Sequence, residues 1–266
     1  MSLVARQVSF SYRPVPGRAD ARVLRDVDLT VRSGSVTGLL GPNGCGKTTL
    51  LKLLSGVLTP TSGAVTVNGR PMAAMPRREA ARQIAVVPQE THPAYDYTVL
   101  EMVLMGRHPH LGLFQIEGPA DIAIAREALA ATSTAHLESR PFPSLSGGER
   151  QRVVIASALA QSTDTLLLDE PTASLDLGHQ LEIAALLTRL NRQRGVTLCL
   201  ATHDLNLAAT VCDTLVLLRD GRVVADGPTA DVLTSRAVRQ LYDVDADVRF
   251  HEAAGRLTVV PVAHAL

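Results

Sequence analysis

Gly41-Pro42-Asn43-Gly44-Cys45-Gly46-Lys47-Thr48 is the stretch whose reading decides the fold. Before it, Val36-Thr37-Gly38-Leu39-Leu40 is a short apolar run suited to a buried strand. After it, Thr49-Leu50-Leu51-Lys52-Leu53-Leu54 has helical character. Strand, glycine-rich loop, helix is the context in which G-x-x-x-x-G-K-[ST] binds phosphate. The glycines let successive backbone N–H groups curl around an anion, and the start of the helix adds the positive end of its dipole. Lys47 is expected to reach the β/γ-phosphates of a nucleotide, and the Thr48 hydroxyl to ligate Mg²⁺.

A second element fits the first. Thr165-Leu166-Leu167-Leu168 is an apolar run that ends in Asp169-Glu170. A strand buried on both faces delivers its last residues to the sheet edge where a phosphate loop sits. Asp169 is expected to support Mg²⁺, directly or through water, and Glu170 to polarise the water that attacks the γ-phosphate.

Around these two stretches the chain alternates strand and helix. Strand patterns occupy Leu3–Tyr12, Val23–Val31, Ala64–Val67 and Ile84–Val87, with turns at Arg13–Gly17 and Asn68-Gly69. From about 90 to 157 the character becomes helical, with an irregular connection over Gly106–Gly118. The β/α rhythm then returns, with strands near 196–201, 214–219 and 223–225 and helices over Gly178–Arg194 and Leu205–Cys212. Asp247–Phe250 and Leu257–Pro261 suggest a terminal hairpin. The pattern is an α/β core with mixed sheet at 1–89 and 158–244, a helical insert at 90–157 and a hairpin tail at 245–266, all one domain.

Composition narrows the function classes. Across 266 residues, 26 Lys+Arg balance 26 Asp+Glu, which argues against electrostatic nucleic-acid binding as the main task. The only two lysines, Lys47 and Lys52, sit at the phosphate loop and its helix. Cys45, Cys199 and Cys212 have no metal-ligand spacing and suit a reducing, cytoplasmic setting. Cys45, near a helix N-terminus, is expected to be sensitive to alkylation. No signal peptide is read at Met1, and no apolar stretch approaches the roughly 20 residues that span a bilayer.

Leu145-Ser146-Gly147-Gly148-Glu149-Arg150-Gln151 reads in two ways. Locally it is a helix N-cap; it is equally a second anion site on the helical insert. With it in view, the chain resembles the ATP-binding subunits of ABC transporters. The phosphate loop, Leu-Ser-Gly-Gly-Glu at 145–149 and Leu-Leu-Leu-Asp-Glu-Pro-Thr at 166–172 occur in that family's order, and the resemblance spans about residues 3–240. It implies an ABC-type P-loop ATPase: a RecA-like mixed-sheet core, an antiparallel β subdomain and an inserted helical subdomain, working on ATP with Mg²⁺.

The resemblance also assigns residues. Tyr12 matches the aromatic that stacks on adenine, and Gly41 to Thr48, with Thr49, the loop that holds the phosphates. Gln89 matches the glutamine that links the Mg²⁺ site to the helical subdomain, and His203 the histidine that contacts the γ-phosphate. Ser174-Leu175-Asp176 matches the loop that crosses to a partner subunit. Ser146, Gly147 and Gly148 would contact ATP held by a second subunit, so two chains sandwich two nucleotides. That partner is a second copy of this chain or a close homologue.

A finer likeness concerns the cargo. Gly106-Arg107-His108-Pro109-His110, Leu175–Gln180 and His203–Ala208 are similar to the versions in importers of ferric siderophores, haem and cobalamin. In the family the segment at Gly106–His110 docks a membrane permease, which works with a periplasmic or surface substrate-binding protein. Without the resemblance, His108-Pro109-His110 reads as a solvated loop. The implied location is peripheral, on the cytoplasmic face of the cell membrane. A soluble ABC ATPase of the cofactor-assembly type is the alternative.

Overall fold

The computed structural model describes residues 2–12 and 22–264, so the turn expected at Arg13–Gly17 lies outside it. Strands β1 (Leu3–Ser11) and β2 (Arg22–Val31) pair antiparallel, and β3 (Val36–Leu40) leads through the phosphate loop into helix α1 (Lys47–Leu54). Next come β4 (Ser62–Val67), β5 (Arg70–Pro71), α2 (Arg77–Ala81) and β6 (Ile84–Val87). The β4–β5 turn is Asn68-Gly69, both residues with positive φ (52° and 77°), as a tight hairpin requires. Helices α3 (Val99–Leu104), α4 (Pro119–Ala131) and α5 (Gly147–Ala160) follow. The second half runs β7 (Thr165–Asp169), α6 (Leu177–Arg194), β8 (Thr197–Thr202), α7 (Leu205–Val211), β9 (Thr214–Arg219) and β10 (Arg222–Pro228). The short helices α8 (Thr229–Val232) and α9 (Ser235–Tyr242) precede the hairpin β11 (Val244–His251) and β12 (Arg256–His264).

Three sheets result. One is antiparallel, in the order β2-β1-β4-β5, and the hairpin β11-β12 stands as another. The largest runs β10-β9-β3-β8-β7-β6, parallel except where β10 meets β9. Its central strands β3, β8 and β7 are buried at every position because both faces are covered. Successive residues turn to opposite sides: Leu39, Leu167, Cys199, Ala201, Val216 and Leu218 pack against α1 and the antiparallel sheet. Leu40, Leu166, Leu168, Leu198, Leu200 and Leu217 join the core with the helices on the other side. This is the architecture that the resemblance implies: mixed-sheet core, antiparallel sheet and helices.

The segment expected to present Gly106 and Arg107 for docking is instead partly interior. Met105–His110 forms a 3-10 turn in which Arg107 is 6% exposed. Its Nε donates to Asp121 Oδ1 at 3.0 Å, and its Nη1 donates to Ala160 O at 2.7 Å and Ser162 Oγ at 3.0 Å. Gly106 lies so close to α5 that a Cβ there would overlap the Ser157 carbonyl. His110 is half-buried and hydrogen-bonds Gln161 O through Nε2 at 2.8 Å. His108 is exposed, and the outward surface continues beyond the expected segment to Leu113, Phe114 and Ile116 (87%, 96% and 82% exposed). Among the described residues, no helix is long and apolar enough to cross a membrane.

Candidate functional site

Parallel strands put their carboxyl ends on one edge, and four neighbouring strands lead there into loops that carry the expected site residues. β3 runs into the phosphate loop, β8 ends before His203, β7 ends in Asp169 before Glu170, and Gln89 follows β6. Register keeps these ends level, with Leu40 opposite Thr202, Asp169 opposite Ala201 and Val87 opposite Leu168. A crevice at that edge is where open α/β sheets bind ligands.

The loop turns on Gly44 (φ 80°) and on Gly46 (φ 109°), the N-cap of α1. Side chains avoid that backbone conformation, so glycine is required. Asn43, Gly44, Gly46, Lys47, Thr48 and Thr49 line a cleft of about 370 Å³ together with Val23, Gln89 and Glu170. Lys47 Nζ folds back onto the loop, donating to Gly41 O (2.8 Å) and Pro42 O (3.2 Å), and lies 3.7 Å from Glu170 Oε1. His203 Nδ1 sits 2.8 Å from Glu170 Oε2. One carboxylate is thus held between an ammonium group and an imidazole. Glu170 reaches this place by a left-handed backbone (φ 46°) at the strand end, fixed by its N–H donating to Ala201 O at 2.9 Å. Such a conformation in a residue other than glycine is a strain that clusters at functional sites.

Thr48 Oγ1 donates to Asp169 Oδ1 at 3.1 Å, so a hydroxyl and a carboxylate stand together as hard oxygen donors. Burial pushes the Asp169 carboxyl above its ordinary range; the Thr48 bond opposes this and neighbouring Glu170 adds to it. A cation placed here relieves both burial and repulsion. Among the described residues no three His, Cys, Asp or Glu side chains converge as a metal cage. A hydroxyl and a carboxylate that leave the other positions to phosphate and water fit Mg²⁺. Because the folded state holds the Asp169 proton more tightly than the unfolded chain, its ionisation costs stability as pH rises from the unfolded value, and that cost is fully present above the raised folded value. Asp169→Asn is therefore expected to raise the Tm of the nucleotide-free protein at pH 7 by roughly 1–3 °C, while Mg²⁺-dependent turnover is lost. A lowered Tm in a thermal melt contradicts this.

The remaining expected residues fall into two groups. Tyr12 is brought to the loop: its hydroxyl is 3.3 Å from Thr49 Oγ1, and its ring meets Phe10 edge-on. The Cys45 side chain turns away from the cleft into the core. Burial pushes its thiol up, against the opposing pull of Lys47, so the expected alkylation sensitivity is not supported. Ser146, Gly147, Gly148 and Asp176 do not line this chain's cleft. Ser146 caps α5 in a capping box with Glu149, and Asp176 caps α6, accepting from His179 N–H. His179, not singled out in the sequence, joins these two loops. Its ring occupies the space a Gly148 Cβ would need, and its Nδ1 is 2.8 Å from Asp176 Oδ1.

A phosphate loop with an acid pair and a histidine on one sheet edge defines a nucleotide-hydrolysing class. The family model for ABC transporters matches residues 24–173, and the chain belongs to that family. It is 43% identical to the cobalamin import ATP-binding protein BtuD of Halobacterium salinarum, over 92% of this chain and 61% of that protein. The chain thus spans under two thirds of that relative's length. It is 41% identical to the iron(3+)-hydroxamate import ATP-binding protein FhuC of Bacillus subtilis, over 87% of this chain and 86% of that one. It is 42% identical to the hemin import ATP-binding protein HmuV of Bordetella parapertussis, over 98% and 99%. Among solved structures, a chain described as a metal-chelate type ABC transporter in an inward-facing conformation superposes with a TM-score of 0.85. It is 30% identical and covers 98% of this chain and 97% of its own. A dimeric bacterial ABC transporter cassette superposes at 0.74 with 28% identity, covering 85% and 98%.

Proposed function

We propose that this chain hydrolyses ATP to power import of an iron chelate (a ferric siderophore or haem) or cobalamin through a separate membrane permease. The observation that carries the hydrolytic reading is Glu170, set between Lys47 and His203 at the mouth of the phosphate loop. Lys47 leaves the Gly41 and Pro42 carbonyls for the β/γ-phosphates, Glu170 orients and deprotonates the attacking water, and His203 holds Glu170 and the γ-phosphate side. Thr48, Asp169 and Gln89 would hold Mg²⁺, which would offset charge on the phosphates. Tyr12 lies against adenine. The cargo class follows the names of the relatives, and all three kinds of import among them keep the alternative open within one subgroup.

Ser146, Gly147, Gly148 and Asp176 act on a second subunit's nucleotide, in a dimer of two copies that closes on ATP and reopens after hydrolysis. The solved cassette of similar fold is dimeric, which supports this reading. The core at 1–89 and 158–244 then carries the phosphates, and the insert at 90–157 carries the serine. The permease reaches the insert from the membrane, so the chain works at the cytoplasmic face of the cell membrane. A substrate-binding protein outside hands over the cargo.

The permease contact moves outward from Gly106–Arg107 to the cleft lined by Arg77, Arg78, His108, Pro109, Leu111 and Leu113, with Phe114 and Ile116 beside it. Replacing Leu113 and Phe114 with serine is expected to leave ATPase activity of the purified protein within about twofold, since surface changes away from packing cost little. Co-purification with the permease is expected to fall at least about tenfold, as loss of an apolar anchor implies. Retained co-purification contradicts this docking face, and Lys47→Ala, which should abolish turnover without releasing the permease, separates docking from hydrolysis.

A further inference from the structure

The C-terminal hairpin is hydrogen-bonded through Asn206 to the helix that follows His203. The Asn206 carboxamide accepts from Val259 N–H at 2.9 Å and donates to Val259 C=O at 3.1 Å. Those are the two bonds a neighbouring strand would exchange with β12, supplied here by an amide on α7. The anchor itself is firm: Val259 is buried in the large core, and Val248 and Leu257 pack against it.

At its other end Asn206 sits beside the catalytic edge. Its N–H, with that of Leu207, donates to Asp204 Oδ1 (2.9 and 3.0 Å), the cap of α7. His203 is the next residue back, and its ring is half exposed. Among the described residues its polar contact is Glu170, at 2.8 Å. Among the described residues no other hydrogen bond or ion pair holds the ring, and its placement depends on the turn that carries it.

We propose that Asn206 is a positioning residue for hydrolysis, which ties the His203 turn to the hairpin and thereby holds the imidazole against Glu170. The inference rests on the reading of His203 as a residue of the reaction. Geometry of this kind acts on the chemical step more than on nucleotide binding.

The test is ATP turnover by the purified full chain as a double-mutant cycle. Asn206→Ala is expected to lower kcat about 3- to 10-fold with KM for ATP within about twofold. Asn206→Asp, which keeps the acceptor for Val259 N–H, is expected to fall between Ala and wild type, and it serves as the readable variant should the alanine protein not fold. In a His203→Ala background the Asn206→Ala change is expected to bring no further loss, because residues that act through one another are not additive. Wild-type kcat in Asn206→Ala and Asn206→Asp overturns the proposal, as does an undiminished loss in the His203→Ala background. If His203→Ala alone leaves kcat unchanged, the functional reading of His203 fails first, and the two failures are distinct.

Discussion

Glu170→Gln is expected to lower kcat for ATP hydrolysis by about 10²- to 10⁴-fold, the range attributed to a positioned general base. ATP binding should survive, because the loop backbone, Lys47 and Thr48 are untouched. The amide is close in shape to the carboxylate but cannot accept the water's proton, and it removes the charge that Lys47 and His203 share. With the γ-phosphate retained, two chains should remain closed on it. The check pairs steady-state turnover with size-exclusion in Mg²⁺-ATP: a slow enzyme that runs as a dimer is expected. A variant that turns over at the wild-type rate overturns the assignment of Glu170.

Arg107→Ala is expected to have the largest effect on stability, about 3 kcal/mol, near the low end for breaking a buried pair. It strands Asp121 Oδ1 and leaves the Ala160 carbonyl with only the longer bond from Ser162 Oγ, at 3.3 Å. The loss stays near that low end because Asp121 Oδ2 keeps its bond from Gly118 N–H at 3.0 Å. That bond and the Arg107 guanidinium hold the Asp121 carboxyl below its ordinary range. The stability the pair contributes is therefore present above the unfolded value and lost as pH falls through the lowered one. At neutral pH a fall in Tm of roughly 6–12 °C follows, read by calorimetry. His108→Ala, on the exposed side of the same turn, should leave Tm unchanged. Equal Tm values for the two variants would return Arg107 to the surface.

That contrast shows what local sequence carries and what it does not. The phosphate loop was legible because its glycines, lysine and threonine are tied to one backbone shape, with a five-residue apolar run in front. Strands β3, β7, β8 and β9 were legible because burial on both faces leaves only apolar choices. Arg107 was not, because its partner lies on another helix and a guanidinium in a loop reads as solvated until that contact is known. Cys45 was misjudged for a related reason. The helix start that would activate its thiol is a local feature, whereas the core that buries it is assembled from β1, β2 and α1. Helix α9 was missed because only Val238 and Leu241 are fully buried in a polar segment. The tie between Asn206 and Val259 joins residues 53 positions apart and leaves no periodic mark.

The reading as a whole turns on import, and uptake in the source cell measures it directly. Cells carrying wild type or Glu170→Gln are offered a labelled ferric siderophore, haem and cobalamin separately. Loss of uptake of one of the three in the Glu170→Gln strain, with the others unchanged, is the expected result and identifies the cargo. Unchanged uptake of all three would contradict the importer reading and leave an ATPase whose work lies elsewhere.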